Sequence, residues 1–160
     1  MNTKPICYQL VGIPASGKTT WVENQNVLEN YVYVSSDYFI DKFASRMGKT
    51  YSDVFNIVVN RAARLMERRV KRAKQNGSNI IWDQTSMSIN SRKRKFKLLP
   101  NYTHIAMVFP VPEPKELQRR LDSRVGKNIS PEIIEEMKSR YQQPTLEEGF
   151  ESVIFYLTTS

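Results

Sequence analysis

The 160-residue chain is poor in the residues that staple a fold or hold a metal: it has one cysteine, one histidine and six glycines. With the single thiol of Cys7 no intrachain disulfide can form, and its apolar surroundings predict a buried structural thiol. With no second histidine and no cysteine cluster, a catalytic zinc has no ligand set, and the lone His104 reads as structural. No apolar run approaches the ~20 residues of a membrane-spanning helix. The opening MNTKPICYQLVGIP is too short, and too soon broken by Pro14, for a secretory signal. A reducing, cytoplasmic setting is the expectation. Internal repeats, low-complexity tracts and linkers are all missing, which predicts one domain over residues 1–160.

What is abundant is positive charge. Lysine and arginine number 24 against 16 aspartates and glutamates, a net charge of +8. Such a surface favours polyanions, although solubility alone would also account for it.

Short apolar segments alternate with helical ones. Strands are predicted at 6–12, 31–36, 78–83, 103–110 and 152–159. Helices are predicted at 18–27, 51–75, 112–124 and from Ser130-Pro131 to about Gln142. In the longest, Val58, Ala62, Met66, Val70 and Ala73 recur at spacings of four and three, which places one face on a core. Asn76-Gly77 ends it. Alternation of this kind implies an α/β three-layer sandwich, a parallel sheet of about five strands with helices on both faces. Ligands then collect at the carboxyl edge of the strands.

Gly12-Ile13-Pro14-Ala15-Ser16-Gly17-Lys18-Thr19 fits the phosphate-loop pattern G-x-x-x-x-G-K-[ST] in full, after a predicted strand and before a predicted helix. Its glycines let successive N–H groups point inward at phosphate oxygens, with Thr20 continuing the helix start. Lys18 is expected on the β- and γ-phosphates of a nucleoside triphosphate, and the Thr19 hydroxyl on Mg²⁺.

Three clues concern the acceptor. Asp37 follows a strand directly, where it could take the proton of an attacking hydroxyl or, equally well on spacing, cap the next helix with Ser35 and Ser36. IIWDQTS ends a strand on Asp83, which could hold a Mg²⁺-bound water or orient the acceptor. Thr85 could bind phosphate, and Ser86 suits a helix cap. Arg120 and Arg124, four apart in a predicted lid over about 113–130, could reach the transferring phosphoryl group, with Lys127 beyond them. Arg119 reads as a solvated helix face. SRKRKFKLLP packs Arg92, Lys93, Arg94, Lys95 and Lys97 after the Asp83 strand, a run that suits a polynucleotide backbone. The basic residues Arg64 to Lys74 read as a solvated helix face. Tyr38, Phe39, Trp82 and Tyr141 could stack on bases, although core packing is the commoner fate of such residues.

Together GIPASGKTTW, VSSDYF, IIWDQTSMSINSRKRK and VFPVPEPKELQRRLDSR resemble the kinase domain of the phage-type polynucleotide 5′-kinases, in order and over about Lys4 to Pro144. The resemblance implies a P-loop kinase domain that moves the ATP γ-phosphoryl to a 5′-hydroxyl end of DNA or RNA, with ATP and Mg²⁺. It tips Asp37 toward the general base. It places Asp83 and Thr85 at the acceptor, Thr19 and Asp83 at the metal, and Arg120 and Arg124 at the lid positions. Two departures stand out. Where the family carries an arginine three residues after the base, this chain has Ile40, so the grip on substrate would pass to Arg92 or Arg94. No acidic phosphatase motif follows, so an end-repair partner activity is expected on another polypeptide. The Ile40 departure leaves room for a small kinase acting on a hydroxymethylated base, a nucleoside or a metabolite. WDQTSMS…RKRK and MKSRYQQPTLEEGF also resemble the kinase-like domain of the heterogeneous nuclear ribonucleoprotein U family, a non-catalytic ATP-binding and RNA-interaction alternative.

Overall fold

Five apolar segments pair into one wholly parallel sheet. They are β1 (Ile6–Val11), β2 (Tyr31–Val34), β3 (Asn79–Asp83), β4 (Thr103–Val108) and β5 (Ser152–Phe155), side by side in the order β2-β3-β1-β4-β5. The computed structural model describes residues 3–24 and 28–157. The helices are α1 (Lys18–Glu23), α2 (Ser36–Met47), α3 (Tyr51–Gln75), α4 (Ile89–Leu98), α5 (Pro114–Asp122) and α6 (Pro131–Ser139). The expected P-loop α/β sandwich is therefore what forms. Element ends differ from expectation in small ways. Ser35 and Ser36 leave the second strand to start α2, and the last helix stops at Ser139. Residues 25–27 of the expected first helix and 158–160 beside the last strand lie outside the described residues.

Strand alternation assigns the two faces. Cys7, Val34, Ile80 and Trp82 point to the side covered by Met66, Val70 and Ala73 of α3. Leu10 and Ile81 point to the other side, against Trp21 and Val22 of α1. Asp83, two residues past Ile81, consequently faces the α1 side and the phosphate loop.

Helix α3 is long because it serves two contacts in sequence. Val54, Val58 and Ala62 pack against Ile40 and Ala44 of α2, and the rest of the predicted stripe packs on the sheet. Each fully buried aliphatic contributes about 1.5–3 kcal/mol by transfer from water. A capping box of Thr50 and Asp53 starts the helix, and left-handed Gly77 follows its end. Its outer arginines and lysines are exposed, as expected of a solvated face, except that Arg69 Nε donates to the Tyr33 carbonyl at 2.8 Å.

The lone histidine and thiol are structural. Gln9 Nε2 donates to His104 Nδ1 at 3.0 Å and His104 Nε2 donates to the Leu99 carbonyl at 2.9 Å, which fixes one neutral tautomer. Burial lowers the His104 pKa and pushes the Cys7 thiol up to about 12.

Candidate active site

The phosphate loop leaves β1 at Gly12 and enters α1 at Lys18. A Cβ at Gly12 would stand 2.6 Å from Ser16 Oγ and 3.1 Å from Phe109 Cβ, so only glycine lets the loop close this tightly. The Gly12 N–H donates to the Thr85 carbonyl at 2.9 Å and ties the loop to the end of β3. Ala15 and Gly17 both have left-handed φ, 65° and 105°. That backbone makes a concave nest suited to an anion. Ser16 is buried with its hydroxyl unpartnered, one polar atom in the nest that a phosphate oxygen would satisfy. The Lys18 ammonium donates to the Gly12 and Ile13 carbonyls at 2.7 and 2.8 Å. Burial drops its pKa to about 8, while the Asp83 and Asp37 carboxylates pull the other way and Arg124 adds to the drop. Bound phosphate would supply the negative charge this lysine lacks.

Two carboxylates face the loop, one from the end of β3 and one from the helix that follows β2. Asp83 ends β3, and its carboxylate accepts from the Tyr33 hydroxyl on β2. Burial pushes the Asp83 carboxyl up, opposed by the Lys18 ammonium and the Tyr33 hydrogen bond. Asp37 is in the first turn of α2, and the N-cap is Ser35. The two readings of Asp37 thus separate, because its Oδ1 accepts from the Tyr51 hydroxyl at 2.6 Å instead of capping its own helix. Burial, then this bond, raises the Tyr51 pKa.

The lid expectation corresponds to α5 and the loop after it. Arg120 Nη1 donates to the Ala15 carbonyl at 3.1 Å, and its Nε to Glu116 at 2.8 Å. Arg119 pairs with the same glutamate, and the hydrogen bonds from the Arg119 and Arg120 guanidiniums lower the Glu116 pKa to about 2. Arg124 keeps a buried, unpartnered Nη1 in the cleft. Beyond it the loop is fastened to the start of α3 and to α2. Ser52 N–H donates to the Gly126 carbonyl at 3.0 Å, Asn128 N–H donates to Ser52 Oγ at 2.9 Å, and Lys127 Nζ donates to Asp41 at 3.0 Å. Gly126 has φ 74°, and a Cβ there would meet the Thr50 Cβ at 2.9 Å.

These parts enclose one cleft of about 980 Å³, lined by Lys18, Thr19, Asp37, Asp83, Thr85 and Arg124 among others. Pro14, Ala15, Gly17, Thr20 and Arg120 line it too. Thr19 Oγ and the Asp83 carboxylate are hard oxygen donors of the kind Mg²⁺ takes. Among the described residues no three His, Cys, Asp or Glu cluster to cage a metal, so a cation here would complete its shell with phosphate oxygens and water.

Several expected contacts do not form. Arg92 is fully buried and cannot grip a substrate. Its guanidinium donates to the Ser86, Met87 and Gln142 carbonyls and to both oxygens of Glu148, at 2.8–3.1 Å. Lys95 of the same basic run is also buried, its ammonium 5.2 Å from the Trp82 ring centroid. Arg94 is exposed but pairs with Glu67 of α3, away from the cleft lining. Ser86 does not cap α4; Ser88 does, and Ser86 is a buried residue at φ 48°. Thr85 lines the cleft, but its carbonyl is spent on Gly12. Ile40 is a core residue between α2 and α3, so the family's arginine would have to be buried among apolar side chains. Trp82 is core, whereas Tyr38 and Tyr141 are exposed.

Sequence reasoning missed Tyr51, Tyr33 and Phe55, which line or support the cleft. A tyrosine opening a helix carries no sign of the carboxylate it meets 14 residues upstream in sequence. Helical spacing does put Tyr51 and Phe55 on one face, four apart, and that was the available signal.

Comparison with known proteins bears on the family and the fold. The family profile described as AAA domain, AAA_33, matches residues 8–144. The bifunctional polynucleotide phosphatase/kinase of Schizosaccharomyces pombe (strain 972) is 27% identical over 149 residues, covering 90% of this chain but 31% of that protein. This chain therefore spans about a third of that relative's length. Among solved structures, a Chloroflexus aurantiacus j-10-fl protein whose kinase assignment is itself provisional superposes with a TM-score of 0.72 at 21% identity, covering 98% of this chain and 86% of that one. A chain of the Pnkp1/Rnl/Hen1 RNA repair complex gives 0.64 at 23%, covering 88% and 45%. With a phosphate loop in its nest, a carboxylate at the end of β3 and a family profile spanning most of its length, this chain belongs to the AAA_33 family of AAA domains and has the P-loop kinase fold.

Proposed function

We propose that residues 1–160 act as one ATP-dependent polynucleotide 5′-hydroxyl kinase unit. The observation that carries this reading is the convergence of Lys18, Asp37, Asp83 and Arg124 on one cleft, close enough for their charges to act on one another. A pure nucleotide-binding module has no use for a carboxylate facing the γ-phosphate position. The polynucleotide acceptor is supported by the likeness to the fission-yeast phosphatase/kinase and by the +8 net charge.

In this reading the loop from Gly12 to Thr20 holds the triphosphate through backbone N–H groups, Lys18 and Arg120. Mg²⁺ at Thr19 and Asp83 would neutralise phosphate charge. Asp37 Oδ2 accepts the proton of the acceptor hydroxyl, while Tyr51 occupies Oδ1. The hydroxyl oxygen forms its bond to the γ-phosphorus as the bond to the bridging oxygen of ADP breaks. Arg124 balances the charge that builds on the departing and equatorial oxygens. Thr85 lies on the acceptor side of the same cleft.

A second reading has one observation in its favour. With Ile40 in the core and Arg92 buried, neither position is free to hold the phosphate next to the acceptor nucleoside. A smaller acceptor would need no such contact. Label transfer from γ-labelled ATP with Mg²⁺ separates the two. The acceptors are a 5′-hydroxyl DNA oligomer, its RNA counterpart, hydroxymethyl-base DNA and free nucleosides, with Lys18→Ala as the blank. Label on an oligomer's 5′ end supports the kinase proposed here. Label on a base or small molecule supports the second reading, and ATP binding without any label leaves a binding module.

A further inference from the structure

Phe55 follows the buried Val54 of α3 directly and is itself exposed. It stands one turn after Tyr51, its ring centroid 5.7 Å from the tyrosine's, and it lines the cleft. Tyr51 itself joins the apolar cluster of α2 and α3, whereas Phe55 stays outside that cluster among the described residues. A continuous line therefore runs from the Asp37 carboxylate through the Tyr51 hydroxyl and ring to the open face of Phe55. Asn56, also exposed, lies next to it on the cleft wall. Ile129 and the exposed Ile133 of α6 add apolar side chains to the lining of the same cleft. Lys127, whose ammonium lies 4.8 Å from the Tyr51 ring centroid, and Arg124 set positive charge in it.

We propose that Phe55 is the stacking platform for the terminal nucleobase of the acceptor strand. The inference rests on the polynucleotide reading and specifies its acceptor subsite. A hydroxyl held at Asp37 needs room for its base in the same cleft, and Phe55 is an exposed aromatic of that lining, linked to Asp37 through Tyr51. Stacking on a ring is tolerant of base identity, because every base has a π-face. The site should accept any 5′-terminal nucleotide and reject one that has no base. Ile40 explains why such a platform would matter: the phosphate contact that position could have supplied is absent, and stacking offers a separate source of grip.

The test is a cycle between protein and ligand. Fluorescence anisotropy gives the Kd of a short 5′-hydroxyl DNA oligonucleotide and of the same strand with an abasic 5′-terminal residue, for the unaltered chain, Phe55→Ala and Phe55→Trp. Loss of one stacked base is worth about 5- to 150-fold in affinity. The unaltered chain should lose that factor on the abasic strand. Phe55→Ala should bind both strands equally and weakly, and Phe55→Trp should restore the preference. Equal binding of both strands by the unaltered chain, or an undiminished preference in Phe55→Ala, overturns the platform. Base discrimination by Phe55 without label transfer to the 5′ end would overturn the kinase reading and leave the platform standing. Label transfer without base discrimination would do the reverse. No binding of either strand would overturn both. Because Phe55 is exposed, its variants should keep the melting temperature of the unaltered chain, which separates lost stacking from lost fold.

Discussion

Arg92 is where the structure most sharply departs from the basic-patch reading, and replacing it decides between them. Its side chain is fully buried, and that of its partner Glu148 is 8% exposed. Five hydrogen bonds leave the guanidinium, and three of them end on backbone carbonyls of the β3–α4 loop and of the segment after α6. Arg92→Met fills similar volume but leaves the Glu148 charge buried without its partner and takes the arginine's donors from the Ser86 and Gln142 carbonyls, while the Met87 carbonyl keeps the Gln142 N–H. Breaking a buried pair from one side costs about 3–5 kcal/mol. For a chain of this size each 1 kcal/mol moves Tm by about 2–4 °C, so the variant should melt about 6–20 °C lower. Urea unfolding should give the same loss as a shifted midpoint with an unchanged slope. The double variant Arg92→Met with Glu148→Leu should recover part of the loss. Recovery should be incomplete, because Glu148 also accepts from the Thr145 N–H at 2.9 Å. A Tm within about 2 °C of the unaltered chain, together with weakened oligonucleotide binding, would refute the reasoning and return Arg92 to the substrate.

Four further outcomes follow from the site and the core. Asp37→Asn should keep ATP binding, followed by nucleotide fluorescence, and lose about 10²–10⁴-fold in transfer rate; unchanged turnover would remove Asp37 from the chemistry. Tyr51→Phe should lower the rate with little change in either KM and have no further effect in the Asp37→Asn background, since it acts through that carboxylate; multiplicative losses in the double variant would refute this. Lys95→Met should raise Tm at neutral pH. Burial lowers the Lys95 pKa to about 8 from 10.5, so the unfolded chain binds the extra proton and stability rises with pH between those values. The substitution should remove on the order of 1–3 kcal/mol of that rise in urea titrations at pH 7 and pH 10, and a lower Tm at pH 7 would contradict it. Oligonucleotide affinity should fall with rising salt by about 0.7 log units per phosphate contact per log unit of salt for a single strand; a flat response would argue against any polynucleotide partner.

The sequence by itself determined much that depends on short-range backbone chemistry, though not the cap of α4, which is Ser88 rather than Ser86. The phosphate loop was legible because its glycines and Lys18 act within eight residues, and the left-handed φ of Gly17 is a local demand. The stripe of α3 was legible because a period of 3.6 residues is written in the chain, and all five predicted positions are buried. The order of the five strands and of the helices α1, α3, α5 and α6 followed from the same periodicities, whereas α2 and α4 fell outside the predicted ranges.

Only the tertiary structure decided which charges face inward and which carboxylates meet which donors. Arg92 and Arg94 are two residues apart on α4, yet one is sealed in the core and the other pairs on the outside. That helix carries too few apolar residues to declare its buried face, so the choice fell to Glu148, 56 residues away. Asp37 could cap a helix or face the cleft until Tyr51 met it from the start of α3. Asp83 and Tyr33 come together because parallel pairing of β2 with β3 sets their strands side by side. Local sequence fixes a dihedral angle within a few residues, whereas a contact between distant residues exists only once packing has selected one arrangement of the elements that carry them.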